Sequence, residues 1–405
     1  MTHVPLSHAL PVYLRIGLLS FGGPAGQIAL MHEELVTRRG WVAAPAFQRG
    51  LNVAMLLPGP EAQQLATWLG WRVHGLWGGI AAGLAFILPG TALMIVLAWI
   101  AATQADSGPI AAIFYGIQPA VLVIVARAMV ALSGRSLQGA RSWALAIAAF
   151  VALSGFGLSF PLVVLLAALI GFVLPPVPQP DIPPTAPARA ATGRLIAVSI
   201  LGVAMVYGIV RFTLGTTPFD GVAELFLSAA FVSFGGAYAL LPYVAEQAVE
   251  VHGWLTPEQM LNGLAIAEAT PGPLILVNVY AGYFAGHSAG TSGVVTACLA
   301  CFYTFAPSFM LILAAAPHVE SIQRRRWIRQ ALAGVSAAVV GVVANLALYL
   351  GRAALWPDPA HGPDWIKLAL LVIFAGIAWR LKPSVPMLIG TGALVGLLLH
   401  LAGVI

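Results

Sequence analysis

The stretch "LLPGPEAQQLATWLG", Leu56 to Gly70, interrupts an apolar run with Pro58-Gly59-Pro60 and resumes it with Glu61, Gln63 and Gln64. The same interruption returns 213 residues later in "EATPGPLILVNVYAG", at Pro271-Gly272-Pro273. Pro58 and Pro60 lack an N–H and clash with the preceding turn, so they end one helix. Proline is also suited to the first turn of a helix, so Pro60 or Pro273 can begin the next. The segments 46–57 and 60–73 are each roughly 20 Å long at 1.5 Å per residue, too short to span a bilayer alone. They read as two half-helices meeting inside the apolar layer, either spanning together or folding back as a re-entrant hairpin.

Sixty per cent of the 405 residues are hydrophobic and 8% are charged. Soluble chains carry roughly 25% charged residues. Apolar runs of near-spanning length recur, among them 79–101, 110–132, 195–212, 294–315, 331–350 and 368–379. The 43 glycines and 29 prolines require bent or broken helices, which a membrane tolerates where freed backbone is buried or lines a cavity. The expected fold is an all-α polytopic membrane protein with about 10–13 hydrophobic helical segments. Met1 to Arg15 lacks a charged n-region followed by a cleavage site, so no signal peptide is read there. Cys298 and Cys301 lie in the apolar "TACLACF" with no further Cys or His beside them. They read as helix-packing residues, and neither a metal nor a cofactor is expected. The net charge of +5 is thinly spread and reads as membrane topology, with no nucleic-acid partner.

Shifted by 213, residues 20–60 meet residues 233–273 without a gap, and 14 of those 41 positions are identical. The shared residues include Ser20-Phe21-Gly22-Gly23 with Ser233-Phe234-Gly235-Gly236, Gly40-Trp41 with Gly253-Trp254, and Glu33 with Glu246. Past residue 70 the register drifts, with Pro89 near Pro307. The chain divides into a first repeat (1–173), a proline-rich linker (174–193), an unpaired helix (194–213) and a second repeat (214–405). One unpaired crossing would turn the second copy upside down. Basic residues mark cytoplasmic loops, and their distribution agrees. Copy one carries Arg38, Arg39 and Arg49 around Gly40-Trp41, whereas the counterpart 246–262 has three glutamates and no Lys or Arg. The next loop reverses the bias, with Asp106 in copy one and Arg324, Arg325, Arg326 and Arg329 in copy two. The loop after that is basic in copy one and mixed in copy two, where Arg352 and Lys367 stand with two aspartates. Inverted repeats with broken helices are the architecture of secondary transporters, with substrate bound at the repeat interface.

A half-helix N-terminus presents unpaired N–H groups and a partial positive charge, an anion site that needs no lysine. Two such termini converging from opposite sides suit a small dianion. Polar side chains gather at the same breaks: Gln27, Asn52, Gln63, Gln64 and Thr67 in copy one, Thr270 and Asn278 in copy two. Glu61 and Glu268 would repel an anion. Each is a proton-coupling candidate, since burial raises a carboxyl pKa; the alternative for Glu61 is a cap on its own helix. Arg72 and His74 read equally as interfacial anchors or as ligands.

"FGGPAGQIALMHEELVTRRGWV", "LNVAMLLPGPEAQQLATWLGW" and "GLAFILPG" resemble the amino-terminal half of the chromate ion transporter family. "SFGGAYALLPYVAEQAVEVHGWLTPEQML" and "GLAIAEATPGPLILVNVYAGYFAG" resemble its carboxyl-terminal half. The resemblance is dense over 20–90 and 233–286. It implies a bacterial-type plasma-membrane protein that exports chromate, a tetrahedral dianion close to sulfate in size, using membrane potential or a proton gradient, and confers resistance. Matching the first-half motif are Phe21, Gly22, Gly23, Pro24, Gln27, Pro58, Gly59, Pro60, Gln63 and Gln64. Matching the second are Phe234, Gly235, Gly236, Glu268, Pro271, Gly272 and Pro273. Asn262 departs from the pattern, which favours aspartate there. No Walker motif is present, so ATP use within this chain is not expected.

Rival readings are a sulfate transporter, an anion channel and, from another class, an intramembrane hydrolase. For the last, "HEELV" lacks its second histidine, and Gly290-Thr291-Ser292-Gly293 reads better as a small-residue turn. Expected partners are the oxyanion and the lipid bilayer; glycine faces serve internal and external contacts alike, which leaves room for a homodimer.

Overall fold

In the computed structural model the described residues are 4–104, 107–173, 192–234, 237–318, 326–357, 360 and 362–405. They form sixteen α-helices and no strand, and several of those helices are halves divided by the breaks. The first seven are α1 (Leu6–Leu19), α2 (Gly23–His32, running into a π-helical turn Glu33–Arg38), α3 (Ala44–Ala54), α4 (Glu61–Gln104), α5 (Gly108–Ser136), α6 (Ala140–Ser154) and α7 (Phe160–Ile170). α8 (Thr192–Leu214) stands between them and a second series. That series is α9 (Phe219–Val232), α10 (Ala237–Ala245, with a π-helical turn Glu246–Val251), α11 (Pro257–Ala269), α12 (Val277–Ser288), α13 (Gly293–Ala315), α14 (Arg326–Leu355), α15 (Trp365–Arg380) and α16 (Val385–Leu401). The 213-residue shift carries α1 onto α9, and one π-helical turn onto the other, at identical bounds. Among the described residues, five helices are long and apolar enough to cross a membrane. The proline-rich linker up to residue 191 lies outside the described residues.

α4 is two helices in one. His74 and Gly75 leave helical geometry, with Gly75 at φ 67°, and divide it into arms 61–73 and 76–104. α3 lies against the first arm so closely that a Cβ on Gly50 would fall into the Trp68 ring. Gly263 on α11 stands in the same relation to Tyr280 on α12. The far end of the first arm returns to where α1 begins: His74 Nε2 is 2.7 Å from Val4 O, and Tyr13 OH is 3.2 Å from His74 Nδ1. Tyr13 also packs edge-on to Trp41 in the turn before α3, at 6.5 Å between centroids. Both ends of the α3–α4 pair therefore lie together, and each Pro-Gly-Pro is the tip of a helical hairpin. His74 anchors that hairpin to α1 and is not directed at its tip.

Small residues weld the copies to each other. Ala112 and Gly116 of α5 pack backbone to backbone on Gly392 and Gly396 of α16. Gly334 of α14, four residues after Gln330, packs on Ala167 and on Gly171, which follows α7. Each is a small-xxx-small type of crossing, where missing side chains let helices approach closely. α5 of copy one thus holds the last helices of copy two, and α14 of copy two holds α6 and α7 of copy one. Contacts in which i meets j and j meets i are the mark of an approximate two-fold axis.

At the first π-helical turn, Arg38 and Arg39 both bond the buried Glu34 carboxylate. Burial pushes this carboxyl up, yet the two guanidinium hydrogen bonds outweigh it and hold it below the ordinary value. The equivalent turn of copy two has Gln247 where copy one has Glu34, and neither arginine.

Candidate functional site: the interlocked breaks

The two Pro-Gly-Pro tips meet the two Ser-Phe-Gly-Gly breaks across the pseudo-two-fold axis. Gly59 N–H donates to Ser233 O at 2.8 Å, and Gly272 N–H donates to Ser20 O at 3.0 Å. These are one bond made twice, since Ser233 and Gly272 are the counterparts of Ser20 and Gly59. Both glycines hold left-handed backbone, φ 126° at Gly59 and 100° at Gly272, a region side chains rarely enter. A second contact is also reciprocal. A Cβ on Gly59 would lie 2.8 Å from Ser308 Oγ, and one on Gly90 would overlap the Pro271 carbonyl. Gly90 and Ser308 each follow a proline inside a long helix, Pro89 in α4 and Pro307 in α13.

Around the first tip the side chains are neutral amides and hydroxyls, fully buried. Gln64 Nε2 donates to Pro58 O at 2.7 Å, closing the tip over its own helix start. Gln63 Nε2 donates to Thr67 Oγ1 at 3.0 Å, and Gln63 Oε1 accepts from Ser308 Oγ at 2.6 Å. Gln27 Nε2 reaches the opposite copy, donating to Gly272 O at 2.7 Å and to Ser20 O at 3.3 Å. Gln27 Oε1, Gln64 Oε1 and Ser233 Oγ are buried with no partner among the described residues. Each such group costs about 1–3 kcal/mol, so this cluster keeps hydrogen-bonding capacity in reserve where the copies touch. The backbone N–H at Gly59 ties the copies together.

The second tip differs. Three apolar residues, Leu274–Leu276, form a 3-10 turn before α12. Glu268 near the end of α11 is buried, and its Oε1 accepts from Tyr238 OH at the start of α10. Thr270 turns back to Ala267 O at 3.1 Å. Asn278 donates to Thr304 at 3.1 Å, leaving Asn278 Oδ1 without a partner.

The geometry therefore brings together Gln27, Pro58, Gly59, Pro60, Gln63, Gln64, Thr67, Pro271, Gly272 and Pro273, with Ser20, Ser233 and Ser308 added. It sets others apart. Asn52 accepts from Gln48 on the exposed side of α3, and Phe21 and Gly22 are exposed, with Gly23 and Pro24 half-buried. Phe234 packs against the core, while Gly235 and Gly236 lie outside the described residues. Glu61 occupies the first turn of α4, half-buried, where the helix dipole favours a negative charge. Ser292 is the N-cap of α13, accepting from Val295 N–H at 3.4 Å.

One polar network escaped the sequence reading. Lys367, taken there as a loop charge, is buried in the first turn of α15 and donates to Gln118 Oε1 at 2.7 Å. Gln118 in turn donates to Glu258 at 2.9 Å and to Asn262 at 3.0 Å, joining α5, α11 and α15. The available signal was a lone Gln-Pro inside the apolar run 110–132, since polar groups within spans are costly and placed for a reason.

A chromate transporter family model matches residues 8–172 and 221–397, one stretch in each copy. A chromate transport protein of Pseudomonas aeruginosa is 30% identical over 398 residues, covering 95% of this chain and 90% of its own length. A probable chromate transport protein of Synechococcus elongatus is 29% identical over 380 residues, covering 92% and 90%. A chromate transport protein of Cupriavidus metallidurans is 27% identical over 390 residues, covering 96% and 92%. No solved structure matches the chain. With its long apolar helices it is a multi-pass membrane protein, as expected of the bacterial plasma membrane. This chain belongs to the chromate transporter family.

Proposed function

We propose that the chain exports chromate across the plasma membrane by alternating access between two inverted copies, and so confers chromate resistance. The observation that carries this reading is the reciprocal bond pair, Gly59 to Ser233 and Gly272 to Ser20. A substrate held at a two-fold seam can be exposed to either side by rocking one half against the other. Arginine at one of the two equivalent turns, Arg38 and Arg39, and no Lys or Arg at the other supports inversion.

The buried amides of Gln27, Gln63 and Gln64 are the groups that orient the oxyanion. Their N–H ends rest on backbone oxygens and on Thr67 in the closed seam. Opening the seam frees those donors, together with the N-terminus of α4, for a tetrahedral dianion. Expelling a dianion from a negative-inside cell is downhill by about 2.3 kcal/mol per charge per 100 mV. A proton moving inward adds to this. Glu268 is the residue placed to carry it, because it stands at the negative end of the α11 dipole with a phenol as its hydrogen-bond partner. Glu61, at the positive end of its own helix, serves as a cap.

Backbone and amide donors read tetrahedral dianions by shape, so sulfate is the competing substrate. Uptake of labelled chromate into energised everted vesicles, with excess sulfate and with an uncoupler, tests the assignment. Saturable, uncoupler-sensitive uptake is expected. Sulfate uptake without chromate uptake would reassign the substrate, and non-saturating flux would make the protein a channel.

A further inference from the structure

α8 is the helix with no counterpart in either copy, and none of its most apolar eighteen-residue window is buried. It rests along α13, and with the second arm of α4 it encloses a groove of ≈ 930 Å³. The walls are mostly hydrocarbon, including Leu84 and Leu88 of α4, Val198 of α8, and Phe302, Phe309 and Met310 of α13. The mouth at the start of α8 is polar. Arg194 lines it, exposed and without a hydrogen-bond or ion-pair partner among the described residues. Beside it is Thr192, whose Oγ1 lies 3.0 Å from His318 Nε2.

We propose that this groove holds an anionic phospholipid, with its acyl chains along the apolar walls and its phosphate on Arg194 and the Thr192 hydroxyl. Charge complementarity selects this occupant. An apolar trough ending in a cation that has no partner among the described residues matches a hydrocarbon chain ending in one phosphodiester. A second copy seated here would bury Arg194 against hydrocarbon, a costly arrangement unless it also brought a carboxylate. The site is separate from the interlocked breaks, so it does not depend on the transported ion.

The test is native mass spectrometry of the full chain offered equimolar dioleoyl phosphatidylglycerol and dioleoyl phosphatidylcholine. One arginine beside an anionic headgroup gives a preference of about fivefold for phosphatidylglycerol. That preference should vanish in Arg194→Gln and survive in Arg194→Lys. Cys298 is exposed and lines the same groove, so Cys298→Trp should expel both lipids. An unchanged preference in Arg194→Gln overturns the proposal. So does full lipid retention in Cys298→Trp, or a protein dimer that this substitution dissociates. Should Cys298→Trp fail to fold, the Arg194 pair decides alone.

Discussion

The two Pro-Gly-Pro tips have one backbone and two chemistries. Both close a helical hairpin, both put glycine in left-handed backbone, and both donate that glycine's N–H to the other copy. Around the first stand Gln27, Gln63 and Gln64, groups without charge that can orient an anion. Around the second stand Leu274–Leu276 and a buried Glu268 bonded to Tyr238. No equivalent exists in copy one, where the corresponding positions are Met55 and Ala25. Duplication accounts for the symmetric seam; in the function proposed above, divergence of side chains divides the work, with the oxyanion at one tip and the proton at the other.

The symmetric part should be the more fragile. Gly59→Val or Gly272→Val places a branched side chain where φ is positive and the neighbouring copy is in contact. Each is expected to reduce chromate uptake below about 1% of wild type while the protein still inserts. Normal uptake by both variants would remove the seam from the mechanism. The first tip should respond in affinity. Gln64→Leu and Gln27→Leu each remove a group worth about 1–3 kcal/mol. They should raise KM for chromate about tenfold, read from concentration-dependent vesicle uptake. Asn52→Ala is the control within the same hairpin, because Asn52 faces Gln48 away from the seam; its KM should change less than about twofold. Equal effects at Asn52 and Gln64 would spread the site beyond the seam. The inversion itself is open to labelling. In a chain with both native cysteines replaced by serine, Thr37→Cys and Val251→Cys mark the two equivalent π-helical turns. An impermeant maleimide should reach them from opposite sides of the membrane, and same-side labelling would make the copies parallel.

The helix breaks and the duplication were legible because proline and glycine act locally. A Pro-Gly-Pro ends a helix wherever it occurs, and the helix bounds 44–54 and 61–73 lie close to the 46–57 and 60–73 read from the sequence. The anchoring of copy to copy was not legible. Ser308 and Gly90 matter through contacts across more than 180 residues, and their only sequence signal was the aligned prolines before them. Asn52 shows the converse error: an amide close to a break in sequence points the other way in space. Lys367 was misplaced because a cation beside an apolar run resembles a loop residue until Gln118, 249 residues away, supplies its partner.

The division of labour turns on Glu268. In everted vesicles preset to an acidic interior, chromate uptake by the wild type should rise with the imposed pH gradient and fall when the gradient is collapsed. Glu268→Gln should retain saturable uptake with an unchanged KM and lose its response to the gradient, whereas Glu61→Gln should keep that response. A Glu268→Gln protein that follows the gradient as the wild type does would contradict the assignment of the proton to the second tip.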